Sequence, residues 1–258
     1  MAALSLGLRP DDARVIEWVQ RSLARNYLDE CYASLGIQLI PLHQFSKEHD
    51  LVQSYIFNSC CCLQGHGANV KHLDDDAGVV QVFRIENSRD SMRFEPYRRT
   101  QNRRVLWHGS RMMNWLSILR KGLLICPPGV PHNGSSFGAG IYFTDKISKA
   151  MSYSHAMVGD SRQVFLLSEV ALGDCRPAAR SGQPTKSKSP HVSCHGVGRC
   201  VPDPAGDFED AFGAVWPLGK PTPVKDKSAT LPHSEFVVYN SAHARMRYIV
   251  VTDGLLSR

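Results

Sequence analysis

GSSFGAGIYFTDKISKAMSYS, residues 134–154, begins with three glycines in seven positions, turns into the apolar GIYFT, and continues into a segment of helical character. Glycines that cradle a phosphate stand between a strand and the helix that follows it; here they precede a strand, so the G-x-G-x-x-G of a Rossmann crossover is not met. No G-x-x-x-x-G-K-[ST] occurs either. Glycines leading into a strand instead let backbone approach a flat ligand. The next segment, DKISKAMSYSHAM, reads as a helix capped by Asp145, with Ile147, Ala150, Met151 and Ser154 along one side.

Outward from this stretch, VLWHGS (105–110) is an apolar strand that stops at His-Gly-Ser. Ser110 is placed to cap a helix bearing Met112, Trp115, Leu116 and Leu119 at helical spacing, which ends at Arg120, Lys121 and Gly122. LICPPGVPHNGSS is a Pro/Gly-rich loop suited to walling a cleft. Upstream, PDDARVIEWVQRSLARNYLDECYASL reads as a helix, IQLIPL as a strand, KEHDLVQSYIFNSCC as a second helix and GVVQVFRIE as a strand. Residues 88–104 are a charged stretch ending in YRRTQNRR, and residues 176–230 read as loop-rich, with PDPAGDFED an exposed turn. VFLLSEVAL, FVVYN and RMRYIVVT are strands, so the fold class is α/β in the α+β sense, with sheets that need not be parallel.

At 258 residues and 43% hydrophobic content the chain buries one sizeable core, which excludes disorder throughout. Thirty basic against 24 acidic residues, formally +6, suit anionic partners without selecting one. The eight cysteines follow no secreted framework, and MAALSLGLRPDD lacks the features of a signal peptide. A reducing compartment, nucleus or cytoplasm, follows from these. No apolar run reaches the roughly 18 residues of a membrane span. HVSCHGVGRC (191–200) gathers two thiols and two imidazoles, but its spacing fits no pair of zinc knuckles, so no metal is expected. Cys60, Cys61 and Cys62 read as buried thiols.

Three polar residues stand where strands meet loops: His108, Tyr142 and Glu235. Singly, each reads as structural: a satisfied histidine, a half-buried sheet tyrosine, a solvated strand-edge carboxylate. Taken in order, LWHGSR, PPGVP, GAGIYF with SKAMSY, SEVALG, HGVGRCVPDP and SEFVVYNSAHARMRYIV resemble the catalytic domain of the poly(ADP-ribose) polymerases over residues 36–253. The pattern lies nearest to the DNA-dependent nuclear branch. The resemblance implies an ADP-ribosyltransferase fold: two mixed or antiparallel sheets, flanked by helices, around a cleft for NAD+. NAD+ would be a consumed substrate, with no true cofactor, and protein side chains, acidic or hydroxyl, would accept ADP-ribose.

By the same resemblance His108, Tyr142 and Glu235 form the family's triad. His108 would bond the adenosine ribose, the Gly109 backbone would hold the nicotinamide carboxamide, and Tyr153 and Tyr142 would flank the nicotinamide ring. Glu235 would bind the 2′-hydroxyl of the nicotinamide ribose and orient the attacking group. Ser110, Asn114 and Gly140 join the NAD+ side and Lys149 the acceptor side. Departures are visible too. Ala150 stands where the family has a serine hydroxyl on the carboxamide, Leu124 where it has a basic residue near adenine, and Ser135, followed by Ser136, where it often has an aromatic lid residue. Pro232 and His233 alter the acceptor flank and leave single-unit transfer open beside chain extension.

Residues 1–35 read as a short helical segment and 36–258 as the catalytic domain; the family's autoinhibitory helical domain does not fit in the first 35 residues, which predicts basal activity without a DNA trigger. YRRTQNRR offers a contact for nucleic acid, although it reads first as a solvated surface. The second functional reading is a catalytically weak module that binds NAD+ or a partner, motivated by Ala150 and Leu124.

Overall fold

The computed structural model describes residues 10–60, 79–127, 136–155, 160–178, 192–225 and 229–253. Cys61, Cys62, the loop beyond Pro127 with Ser135, and His191 lie outside them. The chain divides into two compact units at Ile37 and Gln38. The first holds α1 (Pro10–Ser34), which starts at a proline, as the helix reading requires, and carries a Glu17–Arg21 ion pair of 2.8 Å one turn apart.

The second unit runs β1 (Gln38–Pro41), α2 (Lys47–Ser59), β2 (Val79–Glu86), α3 (Ser88–Phe94), β3 (Arg103–Gly109), α4 (Trp115–Lys121), β4 (Ile141–Phe143) and α5 (Ile147–Met151). It continues through β5 (Arg162–Ala171), β6 (Cys175–Ala178), β7 (Ser193–Gly196), β8 (Cys200–Pro202), β9 (Asp207–Glu209), β10 (Val215–Pro217), β11 (Pro221–Pro223), β12 (Glu235–Val238) and β13 (Ala244–Asp253). A seven-stranded sheet has the order β1-β2-β13-β5-β3-β10-β9, and a four-stranded sheet the order β4-β12-β7-β6. Their pairings are antiparallel except β10 with β3 and β6 with β7, which makes both sheets mixed. A separate ribbon pairs β11 with β8.

The apolar run of β5 becomes a strand buried on both faces, with Phe165, Leu166 and Leu167 fully covered. α2 lays Val52, Tyr55 and Ile56 onto the large sheet, where they meet Trp107, Trp216 and Tyr248. The Tyr55 hydroxyl donates to the Val105 carbonyl at 3.0 Å, so the phenol is satisfied inside an apolar core. Polar charge also enters the core: Glu169, fully buried, binds Arg103 at 2.7 Å and Arg245 at 2.5 Å. Arg103, the first of the two arginines that close YRRTQNRR, is therefore buried rather than part of a solvated basic surface. No described helix is long and apolar enough to cross a membrane.

Three further expectations are corrected, and one element is added. Ser110 caps no helix: the chain first makes a 3-10 turn, Met112–Asn114, and the Ser110 hydroxyl accepts from the Asn114 amide at 3.0 Å. Asp145 caps none either. α5 is only five residues long, its N-cap position is Lys146, and the Thr144 hydroxyl accepts the Lys146 N–H at 3.2 Å. Ser152 then turns its hydroxyl onto the Lys149 carbonyl and Ser154 onto Val164, which favours a turn over further helix. The charged stretch after residue 87 contains α3, capped by Asn87, whose side chain accepts the Asp90 N–H at 3.1 Å. The loop-rich region from 176 onward supplies six strands, β6 to β11, most of three residues.

Candidate active site

The two sheets meet at a backbone bridge. Trp107 donates to the Thr144 carbonyl at 2.8 Å and Thr144 returns the bond at 3.0 Å, tying the end of β3 to the end of β4. That bridge sets His108 beside Tyr142, and His108 Nδ1 lies 2.9 Å from the Tyr142 carbonyl oxygen. A carbonyl only accepts, so Nδ1 carries the hydrogen and Nε2 is left as an acceptor. Burial lowers the His108 pKa, only partly countered by this bond, and keeps the ring neutral.

β12 runs antiparallel to β4, with Val237 opposite Tyr142. Alternate residues share a face, so Glu235 and Tyr142 point to the same side. Glu235 Oε1 lies 3.0 Å from Lys149 Nζ, and Oε2 is buried with no hydrogen-bond partner. Burial pulls the Lys149 pKa down, but the hydrogen bond and charge of Glu235 outweigh it and the amine is held above its usual range. The same ammonium lies 5.2 Å from the centre of the Tyr153 ring.

The Tyr142 hydroxyl is fully engaged: it accepts the Phe137 N–H at 2.9 Å and donates to the Gly138 carbonyl at 2.7 Å, fastening the glycine-rich approach to the strand. Burial first, with the neighbouring Tyr239 and Glu235 adding to it, pushes its pKa up to about 12. At the floor of the site, main chain meets main chain. A Cβ on Gly109 would lie 2.0 Å from the Ala150 carbonyl oxygen, so only glycine fits.

His108, Gly109, Ser110, Asn114, Gly140, Tyr142, Lys149, Ala150, Tyr153 and Glu235, all singled out from the sequence, line one cavity of about 590 Å³, within the range of small-molecule sites. Leu124 is there as well, 43% exposed. Met113, Ser117, Lys121 and His155 also line it and were not foreseen. The first three recur every fourth residue, a one-sided spacing that was legible in the sequence. Chemically the cavity joins a neutral imidazole acceptor, a main-chain floor, two tyrosine rings and a carboxylate with one unpartnered oxygen.

Two mixed sheets joined through a backbone bridge, with a histidine, a tyrosine and a glutamate brought from three strands to one cleft, define an ADP-ribosyltransferase fold. The family model for the poly(ADP-ribose) polymerase catalytic domain matches residues 62–253, and the chain belongs to that family. It is 36% identical over 225 residues to a poly [ADP-ribose] polymerase of Sarcophaga peregrina, an alignment covering 87% of this chain and 22% of the relative. A poly [ADP-ribose] polymerase 2-A of Oryza sativa subsp. japonica is 36% identical over 220 residues, covering 85% and 32%. A poly [ADP-ribose] polymerase 1 of Xenopus laevis is 34% identical over 223 residues, covering 86% and 21%. The chain thus spans between about a fifth and a third of the length of the curated relatives it matches.

Proposed function

We propose that this domain cleaves the nicotinamide–ribose bond of NAD+ and transfers ADP-ribose to protein acceptors. The observation that carries the reading is Glu235 Oε2, a buried carboxylate oxygen without a partner on the wall of the cleft. As the C–N bond breaks, its electron pair leaves with nicotinamide and positive charge grows on the ribose, so a fixed carboxylate stabilises the transition state more than the ground state. His108 Nε2 accepts from an adenosine-ribose hydroxyl, and the Gly109 main chain holds the carboxamide. Tyr153 and Tyr142 flank the leaving ring, and Lys149 stands on the acceptor side. An acceptor carboxylate or hydroxyl then attacks the anomeric carbon, forming a C–O bond in place of the broken C–N bond, and a hydroxyl acceptor releases its proton to solvent. NAD+ is consumed as substrate. The relatives are named as polymerases, which favours chain extension here as well. A reducing compartment, nucleus or cytoplasm, belongs to the same reading, supported by a cysteine spacing that follows no secreted framework.

The test uses labelled NAD+ with the pure chain, following nicotinamide release and transfer of label. Glu235→Gln lowers transfer by about 10²-fold or more, by analogy with removal of other transition-state donors, and His108→Ala weakens use of NAD+. Undiminished transfer in Glu235→Gln overturns the reading. Tight NAD+ binding without nicotinamide release favours the binding-module reading, and product size on a gel separates single units from polymer.

A further inference from the structure

Glu235 is the first residue of β12, and its own ladder holds it weakly. Pairing with β7 begins at Glu235 and Gly196, while pairing with β4 begins only at Phe236, so Glu235 sits at an end secured from one side. The residue before it, Ser234, is fully buried. By strand alternation its side chain faces away from the cleft, toward the same side as Phe236. There the Ser234 hydroxyl accepts the Gly198 N–H at 3.2 Å and lies 3.1 Å from His195 Nε2. One hydroxyl has one donor and two acceptor positions, so it can accept from Gly198 and at the same time pair with His195 Nε2, as donor or as acceptor according to the ring's tautomer.

The surroundings make this lock rigid. His195 stands opposite Phe236 in the ladder, and their rings stack with centroids 4.1 Å apart and planes 14° from parallel. A Cβ on Gly198 would fall 2.4 Å from the Ser234 nitrogen and 2.5 Å from the His233 carbonyl carbon, so the turn after β7 presses main chain against the segment leading into Glu235. Burial first, with the Arg104 charge second, brings the His195 pKa down to about 4, so the ring stays neutral and its bonding pattern does not change near neutral pH.

We propose that Ser234, held by His195 from the reverse face of the small sheet, is a positioning residue for Glu235. The inference rests on the reading of Glu235 as the carboxylate that stabilises the transition state. Misplacing such a group by an ångström costs about 10²-fold, and loosening one anchor costs less, about 10-fold in kcat. The experiment measures nicotinamide release and NAD+ binding for Ser234→Ala and for His195→Phe, which keeps the stack on Phe236 but loses the ring nitrogen. Melting curves confirm that each variant is folded at the assay temperature. Both variants lower kcat about 10-fold with the NAD+ dissociation constant within about twofold, and the double variant is no worse than either alone. In a Glu235→Gln background Ser234→Ala causes no further loss, because its effect runs through that carboxylate. Wild-type kcat in Ser234→Ala, or an equal fold-loss in the Glu235→Gln background, overturns the proposal. If Ser234→Ala does not fold, His195→Phe with and without Glu235→Gln decides it on the same terms. A wild-type chain that releases no nicotinamide overturns the proposed activity itself, an outcome distinct from an active wild type equalled by Ser234→Ala.

Discussion

Ala150 shows how much one side chain decides. It is 2% exposed, its carbonyl oxygen packs under Gly109, and it lines the cavity at the position where the family resemblance places a hydroxyl. Replacing it with serine leaves the main-chain contact with Gly109 untouched. In the empty site the new hydroxyl can bond back to the Lys146 carbonyl, which already accepts the residue 150 N–H at 3.2 Å. With NAD+ present it gains a bond to the carboxamide. A net hydrogen bond contributes about 0.5–1.5 kcal/mol, so Ala150→Ser lowers KM for NAD+ by about 2- to 10-fold with kcat little changed, as steady-state nicotinamide release will show. A KM that stays the same or rises would remove the carboxamide from this position.

At the scale of elements, the glycine-rich approach depends on the strand that follows it. The Tyr142 hydroxyl serves Phe137 and Gly138, and the Tyr239 hydroxyl adds a bond to the Phe137 carbonyl at 2.8 Å. Tyr142→Phe keeps the ring in the cleft but strands a backbone donor and acceptor, costing about 1–3 kcal/mol. A melting temperature lowered by several degrees and faster proteolysis near residue 137 are the outcomes to look for. The long elements were legible because their apolar pattern is plain: α2 and β2 follow apolar periodicity, β5 and β13 are dense apolar runs, and all four appear where those patterns put them. α3 was hidden by its charges, some of which serve tertiary contacts: Asp90 accepts the Met246 N–H at 2.8 Å. The strands between 193 and 223 were hidden because segments of three or four residues carry no period, and β7, β8 and β10 also pair with partners far along the chain. The site residues were legible through their ordered motifs, whereas the link from Ser234 to His195 joins residues 39 positions apart, with no local pattern to announce it.

For the whole molecule, the reverse face of the small sheet couples folding to pH. Asp145 is 3% exposed, its Oδ1 has no hydrogen-bond partner, and burial raises its pKa from 3.8 to about 7, with Lys146 and Arg104 opposing the rise. Between those two values the folded state binds more proton than the unfolded one, so the contribution of Asp145 is fully present below about pH 4 and is lost as pH rises through 7. Buried histidines with lowered pKa, among them His195 and His108, act in the opposite sense over part of this range, so the clean measure is a difference. The melting temperature of Asp145→Asn relative to wild type should climb from pH 4 to pH 7.5; a flat difference would mean the carboxyl titrates normally. The main-chain contact beneath the cleft carries a consequence of another kind. A compound gripping only the Gly109 backbone offers selection little to work on, since any side chain at 109 would collide with the Ala150 carbonyl and spoil the cleft. Resistance would have to arise on the rim, at exposed positions such as Leu124 and Met113, and there it would alter shape without touching the chemistry.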